Sequence, residues 1–241
     1  MQSVNDAPAA PPGRRDFLAS NRGGGLYSEA VSQPIGSAIA LVASRLGLAP
    51  TVLSLLNLGL GLAASAAVVV LAPRVASGSV PGWVVGLGAL VAWQIAYAFD
   101  CADGQLARVT GQSSPAGARL DILCDIAVQI ALVCALAAVA VAYRPATPAW
   151  LVAAFAGTWM VNLVTSVMQS GPNPMSMVPS RSLPVRLVKL IRDYGAVILI
   201  AGVVLTLVPQ WTVAVVWAFT AINGLFLLAS IAFSALPHRR S

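Results

Sequence analysis

An all-α integral membrane protein, with six transmembrane helices preceded by a surface amphipathic helix, is the fold this sequence predicts. Three observations carry the expectation. Of the 241 residues 58% are hydrophobic and 9% charged, with a mean hydropathy of +0.83, whereas a soluble domain has about a quarter of its residues charged. Six apolar stretches, 51–72, 82–107, 117–143, 148–170, 187–208 and 211–236, each approach or exceed the ~20 residues that cross ~30 Å of hydrocarbon. Chain breakers fall at their edges: Pro73, Pro81, Pro115, Pro145, Pro148, Pro172, Pro174, Pro209 and Pro237.

Taken in order, residues 1–25 have no apolar core of useful length and read as a flexible polar tail rather than a leader. Residues 29–47 are moderately apolar and carry Ser32, Ser37, Ser44 and Arg45, the pattern of a helix lying along the membrane surface. Residues 26–236 then form one membrane domain, and 237–241 a basic C-terminal tail. Six crossings put both termini on one side. With them fall Arg14, Arg15, Arg22, Arg45, Arg108, Arg119, Arg181, Arg186, Lys189, Arg192, Arg239 and Arg240, leaving only Arg74 and Arg144 opposite. That asymmetry places the termini at the cytoplasmic face of the inner membrane. An anionic lipid surface accounts for the net charge of +6 without a nucleic-acid partner. Cys101, Cys124 and Cys134 have no C-x-x-C spacing and read as packing residues. The single histidine, His238, sits in the tail, so acid–base chemistry within the membrane domain falls to a carboxylate.

Half of the eight acidic residues lie between Asp100 and Asp125. Carboxylates in a membrane helix are costly and mark function by default. Asp100 and Asp103 share one helical face, as do Asp121 and Asp125. The segment 111–115, GQSSP, turns the chain between them, so the two helices run antiparallel. Asp100 follows Gly82 by 18 residues and Asp125 precedes Tyr143 by 18, about 27 Å of helix each way. All four acids therefore belong at one level, just inside the cytoplasmic interface. Like charges so close need a counter-charge, and an all-oxygen ligand set favours a hard cation, Mg2+ or Mn2+, over zinc. Two such ions clamp a phosphoryl group. Arg108 adds a guanidinium fork suited to phosphate, while Gly104, Gly117 and Ala118 leave room for a ligand or for close helix packing. Cation transport and a non-catalytic metal scaffold are the competing readings. A transporter, however, places its acids near the midplane in repeated halves, and residues 140–236 hold no second acidic pair.

The segment DCADGQLAR (100–108), followed after eight residues by GARLDILCD (117–125), resembles the signature of the CDP-alcohol phosphotransferases. That signature is D-x-x-D-G-x-x-A-R, a gap, then G-x-x-x-D-x-x-x-D. Asp100, Asp103, Gly104, Ala107, Arg108, Gly117, Asp121 and Asp125 fill every fixed position. The likeness extends over roughly residues 26–236. It implies transfer of a phospho-alcohol group from a CDP-alcohol to a second hydroxyl, with release of CMP. It also implies that Asp100, Asp103, Asp121 and Asp125 hold two metals, Asp121 being shared, and that Asp125 takes the acceptor's proton. Gly104, Ala107, Arg108 and Gly117 would form the nucleotide pocket. The stretch LGLAPTVLS (46–54) is similar to the start of the family's first helix, with Pro50-Thr51-Val52-Leu53-Ser54 where Pro-Asn-x-x-Thr is common. The family likeness suggests a homodimer.

CDP-diacylglycerol is the expected donor and a small polar alcohol the acceptor, glycerol phosphate, inositol phosphate and inositol being near the front. The rival reading reverses the hydrophobic partner, moving a CDP-activated head group onto a lipid or another alcohol. Arg181, Arg186, Lys189 and Arg192 cluster before the fifth apolar stretch, with the last three on one helical face. They suit either an anionic acceptor or lipid headgroups. Asn162, Thr165, Ser166 and Gln169 are expected to line an acceptor pocket or to bond between helices. Trp83, Trp93, Trp150, Trp159, Trp211 and Trp217 read as bilayer anchors. The small-residue runs 59–67 and 82–88 permit close helix contact within one chain or between two.

Overall fold

The computed structural model describes residues 11–21, 24–169 and 193–235. Every regular element among them is helical. A short α1 (Arg14–Ala19) is followed by a π-helical turn (Ser28–Ser32) that runs into α2 (Gln33–Arg45). Then come α3 (Pro50–Ala76), α4 (Gly82–Val109), α5 (Pro115–Tyr143), α6 (Ala149–Gln169) and α7 (Tyr194–Leu207). A 3-10 turn (Pro209–Trp211) leads into α8 (Thr212–Ala235).

Among the described residues four helical stretches are long and apolar enough to cross a membrane: Pro50–Ala76, Gly82–Val109, Pro115–Tyr143 and Pro209–Ala229. Two shorter apolar helices are Ala149–Val161 and Tyr194–Leu207. The chain is an integral membrane protein. The expected stretches 148–170 and 187–208 both run into residues outside the description.

Local chemistry explains the helix ends. Pro50 and Pro115 stand at first helical positions, where a missing N–H costs nothing. Helices α2, α3 and α4 each end two residues before a glycine with positive φ: Gly47 (66°), Gly78 (76°) and Gly111 (68°). A left-handed residue just past the cap is the usual helix stop, and glycine adopts it without a Cβ penalty.

Helix α3 organises the bundle by packing along both α4 and α5, while α4 also packs against α2 and α7, and α6 against α8. Among the described residues α4 and α5 form no extensive seam with each other. The main core includes Val68, Trp93, Leu132, Leu136, Phe155, Ile198, Leu205 and Val216. Many outward residues are large and apolar, Leu55, Leu62, Val70, Leu87, Leu123, Leu225 and Leu228 among them, as suits contact with lipid.

Two expectations need correction. Within the stretch expected to be a polar tail, Arg14–Ala19 are helical and Phe17 is fully buried against Ala40, Ala43, Leu53, Ala102 and Leu106. Burying a Phe contributes about 1.5–3 kcal/mol, and Arg14 adds bonds to Ser37 Oγ (3.1 Å) and Pro34 O (2.9 Å). The tryptophans also divide. Trp83, Trp150 and Trp211 are exposed, but Trp93 and Trp159 are interior, donating to Ser65 Oγ (3.0 Å) and Gln129 Oε1 (2.9 Å). A buried indole N–H needs such a partner.

The small-residue runs serve contacts inside the chain. A Cβ on Gly61 would meet Val128 Cγ1 at 2.7 Å, and one on Gly86 would meet Leu205 C at 2.5 Å and the Thr206 amide. The obstacle at Gly86 is backbone, so α4 and α7 must separate to admit a methyl. Gly86→Ala is expected to cost about 1–3 kcal/mol, read as a lower thermal midpoint in detergent. Gly88→Ala, with nothing within 4 Å of the added carbon, leaves the midpoint unchanged or slightly raised.

Candidate active site

The acids of α4 and α5 converge at the ends of those helices nearest their connecting turn. One carboxylate oxygen each from Asp100, Asp103 and Asp121 lies within 4.8 Å of the others. Asp125 stands one turn beyond Asp121 on the same face of α5. The turn is built to hold this pairing. Gln112 N donates to Ala107 O at 2.8 Å across Gly111, closing the helix α4 terminus. Ser114 Oγ then accepts from Gly117 N at 3.0 Å, capping α5.

Helix α3 supplies two site residues that sequence reasoning missed or undervalued. Ser54 Oγ donates to Asp103 Oδ2 at 2.5 Å, and Asn57 Nδ2 donates to Asp100 Oδ1 at 3.4 Å. Both side chains are buried, as is Asp103. Their signal was available: two polar residues three apart on the first turns of an apolar helix share one face. Because α3 packs along both acid-bearing helices, that face points at the carboxylates.

A cavity of about 350 Å³ opens beside the cluster. Asp103, Gly104, Ala107 and Arg108 line it from α4, Gly117 and Asp121 from α5, and Pro50, Thr51 and Ser54 from α3. Gly104, Ala107, Arg108 and Gly117, expected from sequence to contact substrate, thus share one cavity. A Cβ on Gly104 would stand 2.9 Å from Arg108 Nη1, so this glycine makes room for the guanidinium. At Gly117 the added atom would meet only Ser114 Oγ, at 3.2 Å. The Arg108 charge acts on Asp121. Asp100 and Asp125 lie outside the cavity lining. Arg181, Arg186, Lys189 and Arg192 fall outside the described residues, as do the side chains of Asn162, Thr165, Ser166 and Gln169. A larger groove of about 500 Å³ over Leu60, Trp83, Leu87, Val91 and Ile95 is apolar and offers no reactive group.

The signature residues, their cavity and their helices form one unit, and a model of the CDP-alcohol phosphatidyltransferase family matches residues 47–234. The chain belongs to that family. No individual curated protein matches it. As a CDP-alcohol phosphatidyltransferase family member it falls among transferases, and membership supports phosphotransfer from a CDP-alcohol in a lipid membrane. The family implies a divalent metal, and the donors fit one. Three carboxylate oxygens within 4.8 Å, held by Ser54 and Asn57, form an oxygen-only set suited to Mg2+ or Mn2+.

Proposed function

We propose that this protein transfers a phosphatidyl group from CDP-diacylglycerol to a small polar alcohol, releasing CMP, in phospholipid synthesis. The observation that carries the reading is the single cavity joining Arg108, Gly104 and Gly117 to the carboxylates Asp103 and Asp121. In this reading residues 26–236 form one six-span domain, α2 lies on the membrane surface, and the protein works as a homodimer in the inner membrane. The termini and the acid cluster face the cytoplasm.

Asp100, Asp103, Asp121 and Asp125 would hold two divalent ions, with Asp121 shared. When bound, such ions neutralise the diphosphate and the charge spreading onto departing CMP. Arg108 sets its guanidinium fork against the diphosphate. Gly104, Ala107 and Gly117 let the nucleotide lie close to the backbone. The acceptor hydroxyl attacks the phosphorus that carries the diacylglycerol; that bond forms as the bond to the CMP oxygen breaks, and the hydroxyl proton passes to Asp125. In-line displacement brings the nucleophile from the side opposite the leaving group. Asp125 is assigned that task on its place in the family signature, and it does not line the cavity assigned to the nucleotide. Arg186, Lys189 and Arg192 are assigned to the acceptor on their spacing alone.

A lipid donor is favoured by a second cavity. An apolar groove of about 400 Å³ runs between α2 and α3, lined by Ile39, Val42, Leu53, Leu56 and Phe99. Leu53 and Phe99 are the chain neighbours of Ser54 and Asp100, so an acyl chain there lies beside the acids.

Purified protein given CDP-diacylglycerol, Mg2+ or Mn2+ and a panel of alcohols tests this through radiolabelled CMP. Release that requires one alcohol and stops on chelation is the expected result. Release only from a CDP-activated head group with a lipid acceptor would reverse the donor assignment. No release from any donor, with ion flux in liposomes that survives Asp125→Asn, would make the protein a transporter.

A further inference from the structure

Asp193 is a buried acid, 4% exposed, that the proposed chemistry does not use. Its carboxylate caps two helix starts at once. Oδ2 accepts from Tyr27 N (2.8 Å) and Ser28 N (2.9 Å), where the chain enters the π turn before α2. Oδ1 accepts from Gly195 N (3.1 Å) at the start of α7 and from Ser28 Oγ (2.5 Å). Both starts direct backbone N–H groups at the same anion, the arrangement that satisfies otherwise orphaned donors. A side chain at Gly25 would collide with this carboxylate, and one at Gly195 would meet Tyr27 at 2.7 Å, Tyr97 at 3.0 Å and Ser32 Oγ at 3.1 Å.

The link continues to the acid-bearing helix. Ser28 Oγ lies 2.8 Å from Tyr97 Oη. The serine has one hydroxyl proton, committed to Asp193, so Tyr97 donates to Ser28. The ring of Tyr97 also meets that of Tyr194 edge-on, centroids 5.1 Å apart. Tyr97 sits one turn before Asp100 on α4. Gln94, a turn earlier, donates to Gly195 O at 3.1 Å. Thus both groups gripping Tyr97 belong to the segments that Asp193 ties together, and one of those segments, 27–28, lies before the family match begins at residue 47.

We propose that Asp193 is a positioning residue: it clamps the N-terminal helix and α7 over α4 and, through Ser28 and Tyr97, fixes the turn of α4 that presents Asp100. The turnover part of this inference rests on the transferase reading above; the clamp itself does not. The test uses the full chain in nanodiscs, with Ser28→Ala, Tyr97→Phe, their double variant and Asp193→Asn. Kinetics of CMP release and amide hydrogen exchange at 26–33 and 97–103 are the readouts.

Ser28→Ala and Tyr97→Phe are each expected to lower kcat about tenfold with donor KM unchanged, the usual effect of removing an outer-shell hydrogen bond. The double variant is no worse than either single one, since both break one chain of bonds. Asp193→Asn raises exchange in both segments, although 97–103 lies some 90 residues away in sequence. Additive losses, a change in KM alone, or exchange confined to the residues flanking 193 would overturn the proposal. Ser28→Ala keeps both backbone caps, so it decides the matter if Asp193→Asn does not fold. If the unaltered protein releases no CMP, the transferase reading fails while the exchange result still judges the clamp.

Discussion

Asp121→Asn is expected to reduce CMP release about a thousandfold, since ~4 kcal/mol of transition-state charge stabilisation would go with the carboxylate assigned above to both ions. Asp121 is singled out because it belongs to both features of the site. It contributes an oxygen to the triad with Asp100 and Asp103, and it lines the cavity that holds Arg108. An amide of the same shape keeps the packing but removes the charge and one acceptor oxygen. Asparagine also brings an NH2 group close to Asp100, whose carboxylate oxygen lies within 4.8 Å of that of Asp121. Membrane insertion and thermal stability should survive, because relieving repulsion in an acid cluster does not unfold a helix. The measurement is CMP release against Mg2+ or Mn2+ concentration, beside a melting curve. Saturation at the usual metal level with undiminished turnover would remove Asp121 from the site. A parallel Ser54→Ala variant, which removes the hydroxyl that donates to Asp103, is expected to lose about tenfold in activity or metal affinity.

The acid spacing was legible because it is local. Residues three and four apart on a helix must share a face, so Asp100 with Asp103 and Asp121 with Asp125 needed no tertiary knowledge. The reversal between them was legible for the same reason, through Gly111, Ser114 and Pro115. What local pattern cannot carry is which third element closes the site. Helix α3 follows the same apolar rule as its neighbours, and nothing in its periodicity says that it packs along both acid-bearing helices and points Ser54 and Asn57 at them. Phe17 was hidden by its company: one aromatic among charged and small residues looks like tail until the surface formed by Ala40, Ala43 and Leu106 exists to receive it. Asp193 reads as one more charge beside a basic cluster. Its partners Tyr27 and Ser28 lie 166 and 165 residues away in the chain, beyond any window of sequence periodicity.

Asp125→Asn should separate chemistry from binding. If Asp125 takes the acceptor's proton, its loss removes general-base catalysis, about 10²–10⁴-fold in turnover. The cavity proposed for the nucleotide is lined by Asp103, Gly104, Ala107, Arg108, Gly117 and Asp121 without it, so CDP-alcohol binding should persist within a few-fold. Binding is read by isothermal titration with Mn2+ present, and turnover by CMP release. The two acids then give different signatures: Asp121→Asn, assigned to both ions, shifts the metal dependence most, whereas Asp125→Asn, assigned to one, shifts it less and flattens the rise of rate with acceptor. A more nucleophilic acceptor, already ionised at the working pH, should recover part of the Asp125→Asn loss and none of the Asp121→Asn loss. Equal loss of binding in both variants would mean that Asp125 serves only to hold metal. The proton would then leave by another group.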